Sequence, residues 1–127
     1  VAQVGIYDML RNELTANGQF NTVEYGSVQD EAQFRALYAY SPYHHVTAHT
    51  RYPAMLFTIG ANDGRVATWH SRKMVAALQA AQEGSLPILL RIGRSSGHGA
   101  GTSTDDRIDE LADVQTFLLS QLGVAMH

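Results

Sequence analysis

The sequence contains no cysteine, so neither a disulfide framework nor thiol chemistry is open to it. Only nine lysines and arginines occur in 127 residues, scattered singly against twelve acidic residues, for a net charge of -3. That distribution carries no electrostatic footprint for nucleic acid. No apolar run approaches the length needed to cross a bilayer, which excludes a membrane-spanning helix. There is no internal repeat, no low-complexity tract and no linker. Hydrophobic residues make up 45 % and charged residues 17 %, the composition of one globular domain with a real core, covering residues 1–127. The start, Val1-Ala2-Gln3-Val4-Gly5-Ile6, has no initiator Met, charged n-region or cleavage site. It reads as a strand entered part-way along, and the chain is expected to be the last piece of something longer.

Against these absences stands a clear alternation. Short aliphatic runs at 2–6, 54–59 and 87–92 read as buried strands, too brief for helices. Helical periodicity falls between and after them. From about Asp30 to Tyr40, Phe34, Leu37 and Tyr38 share a face, with Asp30 and Glu31 in the first turn and Ser41-Pro42 as the stop. From about Thr68 to Gln82, His70, Met74, Leu78 and Ala81 form a stripe, with Thr68 the expected N-cap and Gly84 the stop. From about Thr104 to Leu122 the buried face is expected to be Ile108, Leu111, Leu118 and Leu122, with Ser103 and Asp106 as a capping pair and Gly123 as the stop. Asn17-Gly18 marks a turn, and residues 22–26 show no period and read as loop. Strands alternating with helices imply an α/β fold: three parallel strands joined by right-handed crossovers, helices on both faces.

Two turns then stand out. Gly60-Ala61-Asn62-Asp63-Gly64-Arg65-Val66 follows the second strand, and Ser96-Gly97-His98-Gly99-Ala100-Gly101 follows the third. An acid after one strand and a histidine after the next is the order of an α/β-hydrolase triad, in which the nucleophile comes first. A carboxylate fixed at a strand end can orient an imidazole and stabilise its protonated form. Asp63 alone is ordinary turn chemistry, and His98 is set apart by its flanking glycines. His44, His45 and His49 invite a metal reading, but adjacent histidines point apart and no carboxylate or cysteine keeps a matching spacing. No metal or organic cofactor is expected.

The motifs Val4-Gly5-Ile6-Tyr7-Asp8-Met9-Leu10-Arg11, Glu24-Tyr25-Gly26, Tyr40-Ser41-Pro42-Tyr43-His44, Asn62-Asp63-Gly64-Arg65-Val66 and Gly97-His98-Gly99-Ala100-Gly101 resemble the C-terminal part of the catalytic domain of the prolyl oligopeptidase family of serine peptidases. The resemblance runs through essentially the whole chain in one register. It implies the C-terminal half of an α/β-hydrolase fold, with the nucleophile-bearing half absent. It makes Asp63 the triad acid and His98 the triad base. Arg65 matches the arginine that hydrogen-bonds a carbonyl of the bound peptide, and Ile6, Tyr25 and Val66 match positions lining the pocket for the residue before the scissile bond. Two departures are visible. The family's tryptophan, on which a substrate proline stacks, falls at Asn21, beside Phe20, and Gly64 replaces a usually bulkier residue. No serine here sits in a Gly-x-Ser-x-Gly-Gly elbow, and Ser96 is too close to His98 in sequence to substitute.

The expected activity of the intact protein is therefore hydrolysis of short peptides, after proline or another small residue. The alternatives are an esterase or acyl-peptide hydrolase on the same triad, and a non-catalytic module. The reading places the protein in the cytoplasm, with the periplasm as the alternative. The order 2–6, 54–59, 87–92 would leave residues 2–6 as a bare sheet edge, so self-association through residues 1–6, or pairing with an upstream segment, is expected.

Overall fold

The computed structural model describes residues 1–99 and 102–124; Ala100 and Gly101 of the second glycine-rich motif lie outside the described residues. Three parallel strands, β1 (Ala2–Gln3), β2 (Met55–Gly60) and β3 (Ile88–Gly93), form one sheet in that order, as the alternation implied. β2, Met55–Gly60, is central and buried along nearly its whole length. A continuous apolar run is what a parallel strand covered on both faces requires. It pairs with β3, Ile88–Gly93, from Met55↔Ile88 through to Gly60↔Gly93, so both strands end level.

β1 is shorter than expected. Only Ala2–Gln3 is strand, paired with Phe57 and Thr58. Val4 still donates its N–H to the Thr58 carbonyl (3.0 Å), but its φ of 44° turns the chain out of the sheet. A β-branched residue is rare in that conformation, so residues 4–6 leave the ladder that their composition suggested they would extend.

One face of the sheet is sealed by α4, Trp69–Ala81, whose Met74, Val75 and Leu78 pack with Phe57 and Ile88 into the core. Full burial of such side chains is worth about 1.5–3 kcal/mol each, which makes this face the main source of stability. The helix begins without the expected cap: Thr68 has helical dihedrals and makes no side-chain capping bond. It also stops before Gly84. Gln82 is already extended, and its side-chain amide accepts from the Tyr52 N–H (2.8 Å) while donating to the carbonyls of Tyr52 and Leu86 (both 3.1 Å). Those bonds hold the loop that enters β3.

α3, Glu31–Tyr40, follows an Asp30 cap that accepts from Gln33 N–H (2.9 Å), and ends at extended Ser41 before Pro42. Of its expected apolar face only Leu37 is buried; Phe34 and Tyr38 stack on each other at the surface. Between β1 and α3 lie α1, Met9–Asn12, a 3₁₀ turn at Gly18–Asn21, and α2, Thr22–Tyr25. The stretch expected to be loop is thus one helical turn, closed where the Gly26 N–H reaches the Thr22 carbonyl (2.9 Å) and Gly26 adopts φ 96°. Four residues are too few to show a period.

α5, Thr104–Gln121, lies against the opposite face. Its Ser103 cap accepts from the Asp106 N–H (3.1 Å), and Gly123 follows it at φ 69°. The expected buried stripe is not buried: Ile108, Leu111, Leu118 and Leu122 are 37–75 % exposed. The helix is held by charge. Arg91 of β3 donates to Asp113 (2.9 Å) and to the Asp106 carbonyl (3.4 Å), beside Glu110 (3.9 Å). An open cleft of about 540 Å³ separates Leu56 and Leu89 from Phe117 of α5. No helix of the described residues is long and apolar enough to cross a membrane.

Candidate active site

Because β2 and β3 end level, the turns leaving them meet. Asp63 sits in the first, its side chain wholly buried and its N–H returned to the Gly60 carbonyl (3.2 Å). One carboxylate oxygen, Oδ1, accepts the backbone N–H groups of Arg65 and Val66, each at 2.9 Å. The other, Oδ2, lies 2.8 Å from His98 Nδ1. Burial pushes the Asp63 pKa up, but the Val66 N–H, the His98 ring and the Arg65 N–H together outweigh it and hold the carboxyl below its ordinary range. The acid is therefore an anion at neutral pH. An anion at Nδ1 fixes the tautomer with the proton on that nitrogen, leaving Nε2 free to take one. The His98 side chain is 27 % exposed and lines an open cleft of about 320 Å³ with Val4, Thr58, Ser96 and Arg107.

The two turns are cross-linked by the backbone. Ala61 N–H donates to the Gly93 carbonyl (2.8 Å) and Asn62 N–H to the Ser96 carbonyl (3.0 Å), while the Asn62 side chain reaches the Arg94 carbonyl (3.4 Å). The approach is close enough to need a glycine. A Cβ on Gly60 would lie 2.3 Å from the Gly97 carbonyl oxygen and 2.4 Å from that of Ser96. Sequence reasoning missed Asn62 and Gly60, since an Asn in an Asn-Asp-Gly turn signals only the turn.

The remaining expected site residues are placed less tightly. Arg65 is exposed and Val66 half-buried, both on the acid's own turn. Ile6, half-buried, follows β1; half-buried Asn21 and exposed Tyr25 lie on the segment running from the 3₁₀ turn into α2. Among the described residues no side-chain hydrogen bond links Ile6, Asn21 or Tyr25 to the Asp63–His98 pair. The Asn17 side-chain amide, which donates to the Gly64 carbonyl, ties that segment to the acid turn. Ser96 Oγ is buried and packed over Gly93, and among the described residues it makes no hydrogen bond to His98 or to any other group.

A second string of the same residue types lies deeper. Ser41 Oγ is 2.8 Å from His44 Nδ1, whose Nε2 is 3.9 Å from Asp8. Ser41 is fully buried, and its hydroxyl is engaged by the Met9 N–H (3.0 Å) and the Tyr7 carbonyl (3.3 Å). This serine braces the chain after β1 and has no room to meet a substrate.

Comparison with known proteins follows the same lines. The model of the prolyl oligopeptidase family matches residues 1–125. A prolyl endopeptidase of Elizabethkingia meningoseptica is 42 % identical over 123 residues, covering 95 % of this chain and 17 % of the relative. Prolyl oligopeptidase ophP of Omphalotus olearius is 42 % identical over 126 residues, covering 97 % and 17 %. Among solved structures, a prolyl endopeptidase superposes with a TM-score of 0.91 at 38 % identity over 97 % of this chain and 18 % of that one. Prolyl oligopeptidase B of Galerina marginata, bound to a 35mer hydrolysis and macrocyclisation substrate, gives 0.89 at 34 % identity, covering 98 % and 18 %. That fungal protein has been solved with alanine replacing a serine, a histidine or an aspartate. The chain thus spans about 17 % of the length of the curated relatives it matches.

Proposed function

The chain belongs to the prolyl oligopeptidase family, and from that premise we propose that it supplies the acid and the base of a serine peptidase's catalytic triad. The nucleophilic serine comes from a part of the protein outside these 127 residues. Its hydroxyl attacks the scissile carbonyl while His98 Nε2 takes the proton, and the protonated ring then gives that proton to the leaving amine. Water repeats the sequence on the acyl-enzyme. Asp63 holds the ring's tautomer and orientation and stabilises the imidazolium. The observation that carries this reading is the 2.8 Å contact between Asp63 and His98, with the acid's second oxygen saturated by two N–H groups. Arg65 is assigned to a carbonyl of the bound peptide, a task suited to a permanently charged planar donor. Ile6, Tyr25 and Val66 are assigned to the pocket for the residue before the cleaved bond.

The substrates are short peptides cut after proline or a small residue. A second reading, acyl-peptide hydrolase or esterase activity on the same triad, is favoured by Asn21, which offers no ring face for proline to stack on. In the full-length protein, Asp63→Asn and His98→Ala should each lower turnover on the order of ten-thousandfold without loss of fold, since both residues lie on turns. Near-normal activity in either variant sinks the triad assignment. Proline, alanine and aryl-ester substrates compared side by side separate the two readings, and a preference for non-proline acyl groups selects the second.

A further inference from the structure

We infer that Asn17 is a positioning residue that sets substrate specificity, by clamping the segment that carries Asn21 and Tyr25 to the turn that carries Asp63, Arg65 and Val66. The inference rests on the peptidase reading and concerns the same site.

The segment 18–26 is an excursion with well-built ends and a loose middle. At its start, Thr15 caps the Asn12 carbonyl with both its N–H (3.0 Å) and its hydroxyl (2.7 Å), and the Gly18 N–H returns to the Thr15 carbonyl (3.0 Å). A Cβ on Gly18 would lie 1.7 Å from the Asn12 carbonyl oxygen, so the chain passes there only as glycine. Just beyond its far end, the Ser27 N–H donates to Gln33 (2.7 Å) and the Val28 N–H to Glu13 (3.2 Å). Between these anchors Phe20 is 77 % and Val23 93 % exposed, and neither packs the segment against the body.

What joins it to the acid turn is the Asn17 side-chain N–H on the Gly64 carbonyl. Among the described residues this is the only hydrogen bond between residues 12–28 and 60–66. The receiving end is the fixed one: the Arg65 and Val66 N–H groups are both held by Asp63 Oδ1 (2.9 Å each), while open space surrounds the Cβ position of Gly64. Arg65 and Val66 come directly after it. The relative placement of the two pocket walls therefore depends on one amide. The Asp63–His98 contact does not, because it is held by its own backbone donors. Loss of Asn17 should change which acyl residue fits while leaving the triad's acid–base behaviour alone.

The test uses the full-length enzyme with Asn17→Ala and Asn17→Asp, the latter nearly isosteric but without a donor. Both are expected to shift the ratio of kcat/KM for proline over alanine substrates by about three- to tenfold, chiefly through KM, as loss of one hydrogen bond allows. The pH profile of kcat should not move. A uniform fall in kcat with an unchanged substrate ratio overturns the inference, as does wild-type KM in both variants. A wild-type enzyme that neither cleaves peptides nor labels with a fluorophosphonate overturns the peptidase reading, and this inference falls with it.

Discussion

His70 and His98 are two imidazoles in opposite circumstances. His98 gives its Nδ1 to a carboxylate and keeps one edge open. His70 is 1 % exposed, stacked on Trp69, and its Nδ1 accepts the backbone N–H groups of Asp8 (3.2 Å) and Tyr7 (3.4 Å). Only a neutral ring can accept there, and burial, aided by Lys73 and opposed by Asp8, lowers its pKa from 6.5 to about 4. Its folded pKa thus lies below its unfolded one. Stability from a neutral His70 is complete above pH 6.5 and declines as pH falls toward 4, by about 3 kcal/mol in all. Asp8 adds loss in the same direction at still lower pH. Burial pushes its carboxyl up, but the Arg11 guanidinium and N–H hold it below its ordinary value, so its contribution fades as pH falls through that range. Urea denaturation at pH 7 and pH 4.5 measures the first effect. His70→Asn, which keeps an acceptor near Nδ1 but does not titrate, should flatten the dependence; an undiminished slope refutes the assignment. At this scale the site was half legible. Asp63 and His98 could be read because acid and base each follow a strand. Asn17 could not, because Asn-Gly is a sufficient turn signal by itself and nothing in it points 47 residues ahead to Gly64.

Among the elements, α4 and α5 show what periodicity can and cannot say. The α4 stripe was read correctly because the core lies on the side its apolar residues face. The α5 stripe is equally periodic, yet its leucines remain in solvent, since a period identifies a face but not whether anything covers it. What docks α5 is Arg91, with its partners Asp113 and Glu110. Those carboxylates are partly exposed, so the pair is worth only about 1 kcal/mol and is weakened by salt. Arg91→Gln, or molar salt, should raise hydrogen exchange along α5 while the β2 amides stay protected. Equal acceleration in both elements would show that α5 is integral to the core. β1 repeats the lesson in a strand: its aliphatic run was legible, and the positive φ of Val4 that ends it was not.

For the molecule as a whole, the sheet order was right, and the edge strand is two residues long rather than five. The expected association through residues 1–6 has that shorter edge to work with. The larger exposed apolar surface is on α5, where Ile108, Leu111 and Leu122 recur along the face turned away from the sheet. Contiguous apolar surface of this kind promotes association. The 127-residue chain by itself should therefore pair with a second copy over the outer face of α5. Light scattering after size exclusion should give a mass that rises with concentration, and Leu111→Glu with Leu122→Glu should return it to one chain. A monomeric wild type at all concentrations would show that the leucines are tolerated in water.

The level ending of β2 and β3 has a consequence in time. Acid and imidazole lie within a few residues of Gly60↔Gly93, the last rung of one ladder, and the exits of both strands are joined by further backbone bonds. The Ala61 and Asn62 N–H groups bind the carbonyls of Gly93 and Ser96, so the exits of the two strands are held to each other. On the peptidase reading, heat inactivation should then have no early phase in which the Asp63–His98 pair is lost before the sheet unfolds, and activity and far-UV circular dichroism of the full-length protein should decay together.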